Sequence, residues 1–279
     1  MDFKHKLDDE CGHHIEKNNG FCAPDDIVEK VKEINNISGA DGPQVLEELK
    51  DKYNCKTEVC VLSHPEVKHT IGDSKIRDII IQHFKPVGPR NSNAWLSNNN
   101  IDEVLAQIQK RYKEKNFFHI CFQMIDFEKT KSELATLDWP KKHKEGFRSF
   151  GTVLNTDYST GRGKHWFALH GSFQDTDDEF TIEYFNSSGE LPMDEISMWM
   201  KKVKHEWQPA FDKPIKDVIV TRIENQQDDW NCGPYSLYYI ISRIDGTDYK
   251  YFKDNKIGDD NMQLFRKFLF RDSRFEDNI

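Results

Sequence analysis

The chain has 279 residues, 37% hydrophobic and 31% charged, enough for one large domain or for a domain with a sizeable extension. Its net charge of −9 argues against a general nucleic-acid binder, which needs a basic face. No stretch approaches the roughly 18 consecutive apolar residues of a membrane span, and residues 1–14 lack the apolar core of a secretory leader.

A protein without a leader is expected in a reducing compartment, so its six cysteines are expected as free thiols. Cys11, His13, His14 and Cys22 lack paired Cys-x-x-Cys spacing, and Cys55 to Cys60 is a Cys-x4-Cys pair. No metal site is expected from them. The basic clusters Lys141-Lys142-His143-Lys144 and Lys201-Lys202-Val203-Lys204 sit among acidic residues and read as solvated faces.

In chain order, Asp25-Asp26 opens a segment with Ile27, Val28, Val31 and Ile34 at helical spacing. Ser38-Gly39-Ala40-Asp41-Gly42-Pro43 breaks it, and Val45, Leu46 and Leu49 begin a second helix. A third apolar run, 76–84, ends at Pro86. The turn-rich segment 85–92 is the candidate boundary, which makes 1–85 a helical arm and 86–279 the core. Residues 101–112 read as an amphipathic helix capped by Asn100. Residues 117–127 read as a buried strand with its continuation, and 163–173, 180–186 and 217–223 as further strands. After Cys232, Pro234 suits a first helical position and Leu237, Ile240, Ile241 and Ile244 share one helical face. Clustered strands mixed with helices indicate an α+β domain.

Cys232 precedes Pro234 and so stands at a helix start, where partial positive charge favours a thiolate. By itself such a cysteine reads rather as a buried structural residue. His165 opens one strand-like run and Asn186 closes the next. The midpoint of 165 and 186 falls in the polar stretch Gln174-Asp175-Thr176-Asp177-Asp178. An antiparallel hairpin would set the two residues opposite each other, about 6 Å apart between Cα atoms. A one-residue slip would turn Asn186 to the other face. Nucleophile, base and orienter together are the parts of a thiol protease, with the Asn carbonyl accepting from His Nδ1–H and Nε2 facing the thiol. An oxyanion donor is also needed. Gln226, six residues before Cys232, is the candidate, with Gln227 as the competitor. The reaction requires no cofactor and no metal.

His165-Trp166, Tyr184-Phe185-Asn186-Ser187 and the Gln226 to Cys232-Gly233 spacing resemble SUMO-protease-type cysteine peptidases, the clan that includes the adenovirus maturation protease. Trp95-Leu96 followed by Ile101-Asp102-Glu103-Val104-Leu105 is similar to that family's substrate strand and helix, and 262–267 to its C-terminal helix. The stretches 151–161, 88–91 and 182–187, Cys232-Gly233-Pro234-Tyr235-Ser236-Leu237, and Cys60-Val61-Leu62-Ser63-His64-Pro65 resemble the polyprotein-processing proteases of African swine fever virus and related large DNA viruses.

The resemblance implies a papain-like-superfold core, a central mixed sheet flanked by helices, with a mainly helical N-terminal arm. It implies cleavage of viral structural polyproteins at Gly-Gly-Xaa sites during virion maturation, in the virion and in the virus factory of the host cytoplasm. Trp166 and Trp95 would then wall a narrow substrate tunnel; the plainer reading makes both core residues. Two rivals stand beside this one: a SUMO or ubiquitin-like deconjugating protease, and a catalytically silent interaction module. Two departures from the SUMO-type pattern matter. Asn186 stands where Asp is usual, and Trp95-Leu96-Ser97-Asn98 lacks the following Asp, which bears on a ubiquitin-like substrate surface.

Overall fold

The computed structural model describes residues 7, 10–16 and 20–272. The leader reading of residues 1–14 therefore rests in part on positions outside this set. Among the described residues no helix is long and apolar enough to cross a membrane. Two compact units divide after Ser92, and the residues from Arg266 onward group with the N-terminal unit.

The N-terminal unit is mainly helical: α1 Asp25–Ile34, α2 Gly42–Tyr53, α3 Glu58–Ser63, α4 Pro65–Ile71 and α5 Asp73–His83. The apolar positions read from spacing in α1 and α2 are its core, with Val31, Val45 and Leu49 fully buried. Asp41 caps α2, accepting from the Gln44 backbone N–H, while the Gln44 side chain accepts from the Asp41 N–H. The two short helices α3 and α4 were not visible as periodicity, because six or seven residues are too few to show it. Thr57 caps the first, and Pro65 opens the second, where its missing N–H costs nothing. The C-terminal segment joins this unit through the Arg271 N–H, which donates to the Pro86 carbonyl at 3.1 Å, and through Phe270 packed on Gly88.

One expectation is overturned here. Cys11–Cys22 and Cys55–Cys60 are disulfides, with Cα atoms 5.0 and 5.5 Å apart. The fold brings each pair within bridging distance, which sequence spacing alone does not reveal.

The second unit is α+β. Its elements are α6 Asn98–Arg111, β1 Phe117–His119, β2 Gln123–Met124, α7 Phe127–Thr130, α8 Trp139–Lys144, β3 Ser149–Asn155, β4 Trp166–Ser172, β5 Phe180–Phe185, α9 Asp194–Trp207, β6 Ile215–Val220, α10 Cys232–Ile244 and α11 Tyr249–Asp254. α12, Asp259–Leu269, runs across the division between the units. Ser97, not Asn100, caps α6; Asn100 is its reciprocal partner three residues on.

The strands form one mixed sheet in the order β1-β3-β4-β5-β6, with β2 on the same edge of β3 as β1. β3–β4 and β4–β5 are antiparallel, and the other pairs are parallel. Every residue of β3, β4 and β5 is buried, as expected for strands covered on both faces. One face packs Phe150, Leu154, Phe167 and Leu169 against Trp139 of α8 and against Ile196, Trp199, Met200, Val203 and Trp207 of α9. On the other lies α10, so close that a Cβ at Gly151 would stand 2.9 Å from Ile240. α10 begins at Cys232 itself, so Pro234 falls at its third position, still in the first turn where no intrahelical N–H bond is needed.

A buried ionic cluster fixes α10 to the sheet. The Glu183 carboxylate on β5 accepts from Arg243 Nε at 2.8 Å and from a terminal Arg243 nitrogen at 2.7 Å. It also accepts from the Tyr239 hydroxyl at 2.7 Å, and His170 Nδ1 of β4 lies 3.2 Å away. Burial opposes ionisation of Glu183, but the charges of His170 and Arg243 outweigh it and hold the carboxyl well below the usual range. Burial also holds His170 below its ordinary value.

Glu183→Ala would leave the Arg243 charge uncompensated in the interior and is expected to cost about 3–5 kcal/mol of stability, read by denaturant unfolding. The pH dependence has a definite sign, because both folded-state values are depressed. The unfolded state takes up protons first, so stability falls as pH drops below the ordinary histidine value of 6.5 and falls further below the ordinary carboxyl value of 4.5. Thermal melts between about pH 8 and pH 4 check this; a flat profile would contradict it.

Candidate active site

His165 and Asn186 each lie one residue outside a strand, at the start of β4 and the end of β5. The hairpin is antiparallel as expected, but its register differs. Ala168 pairs with Phe185 and Leu169 with Tyr184, so Asn186 falls opposite Phe167 and diagonally from His165. The two-residue offset keeps both side chains on one face, since side chains alternate with period two, and diagonal neighbours remain within reach of long side chains. His165 Nε2 lies 2.7 Å from Asn186 Oδ1. The bond therefore uses Nε2, not the Nδ1 expected from sequence, and the nitrogen left for a thiol is Nδ1.

The Asn186 amide cannot turn over without breaking three further bonds. Its nitrogen donates to the Tyr184 hydroxyl at 3.0 Å, and its oxygen accepts from the Ser188 N–H at 3.1 Å and the Ser188 hydroxyl at 3.0 Å. Tyr184 Oη donates in turn to the Glu190 carbonyl at 3.4 Å. Burial pushes the Tyr184 phenol up to about 12, so it stays a hydroxyl at any working pH. With Oδ1 held as the acceptor, the proton of a neutral His165 is on Nε2 and the Nδ1 lone pair is the basic one.

Cys232 is buried and takes part in neither disulfide. The turn leading to it is built on Asp228. One carboxylate oxygen accepts from the Trp230 and Asn231 N–H groups at 3.1 and 2.9 Å, and the other from the Asn231 amide at 2.5 Å. Gln226 is buried in the same turn. Its amide nitrogen donates to the Asp228 carbonyl at 2.7 Å, and its carbonyl accepts from the Ser187 hydroxyl at 2.8 Å. Gln227 is exposed; its backbone N–H donates to Asp259 and its amide to the Gln226 carbonyl.

Leu96 packs on Gly233, where a Cβ would meet it at 3.0 Å. The Leu96 carbonyl accepts from Trp166 Nε1 at 3.0 Å, and Trp95 Nε1 donates to the Asp229 carbonyl. Trp166 is buried while Trp95 is 47% exposed, so only Trp95 offers broad accessible surface beside the turn. Ser187, Tyr184 and Asp228 are the contributors that sequence reasoning left without a role. Asp228 was the most accessible of them, because an Asp in a turn commonly accepts from backbone N–H groups two to three residues further on.

Comparison with known proteins identifies the family. Residues 105–277 match the Ulp1 protease family, C-terminal catalytic domain. The chain is 38% identical over 238 residues to the cysteine protease S273R of African swine fever virus, a match spanning 80% of this chain and 85% of that one. A South African tick isolate of the same virus has a relative named SUMO-1 cysteine protease S273R, again 38% identical over 80% of this chain and 85% of its own length. The crystal structure of ASFV pS273R protease shares the fold at a TM-score of 0.80 and 33% identity, covering 94% of this chain and 95% of that chain.

Asp228→Ala would release two backbone N–H groups and the Asn231 amide just ahead of Cys232. It is expected to lower kcat/KM for peptide cleavage at least about tenfold, equivalent to ~1.4 kcal/mol of transition-state stabilisation. Steady-state kinetics beside a thermal melt would check this; unchanged kinetics would remove Asp228 from the account.

Proposed function

We propose that this chain, which belongs to the Ulp1 protease family and is a cysteine peptidase, cuts with Cys232 as nucleophile, His165 as base, Asn186 as orienter and Gln226 as oxyanion donor. The observation that supports the assignment is the 2.7 Å bond from His165 Nε2 to Asn186 Oδ1, which leaves Nδ1 as the nitrogen for a thiol. His165 Nδ1 takes the Cys232 proton, and the sulfur adds to the scissile carbonyl. The Cys232 N–H, at a helix N-terminus, and the Gln226 amide, once it turns from the Asp228 carbonyl and carboxylate oxygens that it meets at 2.7 and 3.3 Å, stabilise the oxyanion. The imidazolium then protonates the leaving amine, and water, deprotonated by His165, hydrolyses the thioester. Burial of Gln226 and exposure of Gln227 favour the former as donor.

The substrate we propose is a viral structural polyprotein cut after Gly-Gly, in the virion and in the infected-cell cytoplasm. Leu96 pressed on Gly233, with Trp166 and Trp95 bonded beside it, supports a narrow cleft suited to residues without side chains. A second reading, release of a SUMO-like protein, is favoured by the name SUMO-1 cysteine protease carried by one relative. Such conjugates also end in Gly-Gly, so the chemistry is shared and the recognised partner differs.

Cys232→Ala and His165→Ala are expected to abolish cleavage, while Asn186→Ala, which only releases the imidazole, keeps a measurable part. Full proteolysis by purified Cys232→Ala protein would overturn the assignment. Substrate class is separated by co-expression with candidate capsid polyproteins and mapping of new N-termini, alongside SUMO- and ubiquitin-fluorophore conjugates. New termini after Gly-Gly in the polyprotein support the first reading; conjugate cleavage alone supports the second.

A further inference from the structure

We propose that Asp102, His119 and Cys121 form a zinc-binding site at the break in the edge strand of the sheet. β1 pairs with the first part of β3 and β2 with its last part, leaving Ile120, Cys121 and Phe122 between them. The break is rigid. The Cys121 N–H donates to Glu133 Oε2 at 3.1 Å, and its carbonyl accepts from Thr152 Oγ1 at 2.9 Å and Gln123 Nε2 at 2.7 Å. His119 ends β1, and its N–H donates to Gln109 Oε1 of α6 at 2.6 Å. Asp102, also on α6, accepts from the Phe122 N–H at 2.7 Å. Backbone anchoring of this kind preorganises side chains for a ligand.

One ligand atom from each of the three residues lies within 4.8 Å of the other two. The His119 side chain is only 10% exposed, and its Nε2 makes no hydrogen bond among the described residues; the nearest carboxylate oxygen, Asp102 Oδ1, is 3.5 Å off. A buried imidazole nitrogen without a hydrogen bond is costly, and here it faces a carboxylate in a cluster that also holds a thiol. Imidazole, thiolate and carboxylate are the donor set of zinc, three protein ligands leaving a fourth position for water. Magnesium and calcium prefer oxygen ligands and do not suit a thiolate. Burial, then the carboxylates of Asp102 and Glu133, push the Cys121 thiol up, which marks a locally anionic pocket that favours a cation. On binding, the Cys121 S–H proton passes to solvent and the sulfur bonds the metal. The ion clamps α6 to the strand break, one residue from Phe122, whose ring meets Trp166 edge-on at 6.2 Å.

The test uses the full chain carrying Cys232→Ser, which removes the other cysteine outside the disulfides, titrated with Zn2+ alone and separately with Mg2+. One equivalent of Zn2+ is expected to bind and raise the melting temperature, with no effect of Mg2+, and Co2+ is expected to give a thiolate-to-cobalt absorption. Adding Cys121→Ser should abolish that absorption, and Cys121→Ser and His119→Ala should each weaken Zn2+ binding at least about tenfold. Cys121 is exposed, so its replacement should leave the metal-free melt unchanged. No uptake of Zn2+, or uptake indifferent to either substitution, overturns the site. No substrate is involved, so either outcome leaves the peptidase reading untouched.

Discussion

The buried carboxylate of Glu183 holds the catalytic unit in register. It sits on β5, two residues before the strand ends and three before Asn186. It binds Arg243 and Tyr239 of the helix whose first residue is Cys232, and its neighbour His170 lies on the strand that follows His165. One ionised group thus ties together the elements that carry or adjoin Cys232, His165 and Asn186. Burying such a cluster gains little net stability over a well-packed apolar core. Its value lies in position: the helix can neither slide nor rotate on the sheet without stranding a charge.

A second tie crosses the site itself. Asn186 and Ser187 are adjacent in the chain, and one accepts from His165 while the other donates to Gln226. The Gln226 and Asn225 N–H groups both donate to the Ser187 carbonyl, at 3.0 and 2.9 Å. His165 and Gln226 are therefore both held by a single dipeptide at the end of β5. Asp228 then fixes the turn from Gln226 to Asn231, which leads directly into Cys232. The uncharged Asn186 that meets the imidazole is itself held by neutral partners, Tyr184 and Ser188.

Much of this was legible in the sequence. The helix after Cys232 announced itself through Leu237, Ile240, Ile241 and Ile244, and the polar stretch 174–178 brought His165 and Asn186 to one face, two residues out of the expected register. What escaped has physical reasons. β3, an inner strand, carries Gly151 and Thr152 among apolar residues and is buried on both faces, so it shows no alternation. α9 was hidden because its lysines were read as a charge cluster, although Trp199, Val203 and Trp207 on its other side are core. The edge strand looked continuous from 117 but is broken at Cys121, since a hydrogen bond from Thr152 to a carbonyl leaves no trace in composition. The imidazole nitrogen that meets Asn186 depends on ring orientation, and the disulfides depend on tertiary proximity. Neither is a property of spacing.

The two cysteines outside the disulfides offer the most direct test, because accessibility and chemistry predict opposite orders. Cys121 is exposed, with its thiol pushed up by burial of its sulfur and by nearby carboxylates, while Cys232 is buried at a helix start beside the histidine hairpin. The measurement is the rate of iodoacetamide labelling at each, resolved by peptide mapping of the native metal-free protein. The account predicts that Cys232 reacts first despite its burial and that His165→Ala slows it below Cys121. Faster labelling of Cys121, with Cys232 indifferent to the loss of His165, would contradict it.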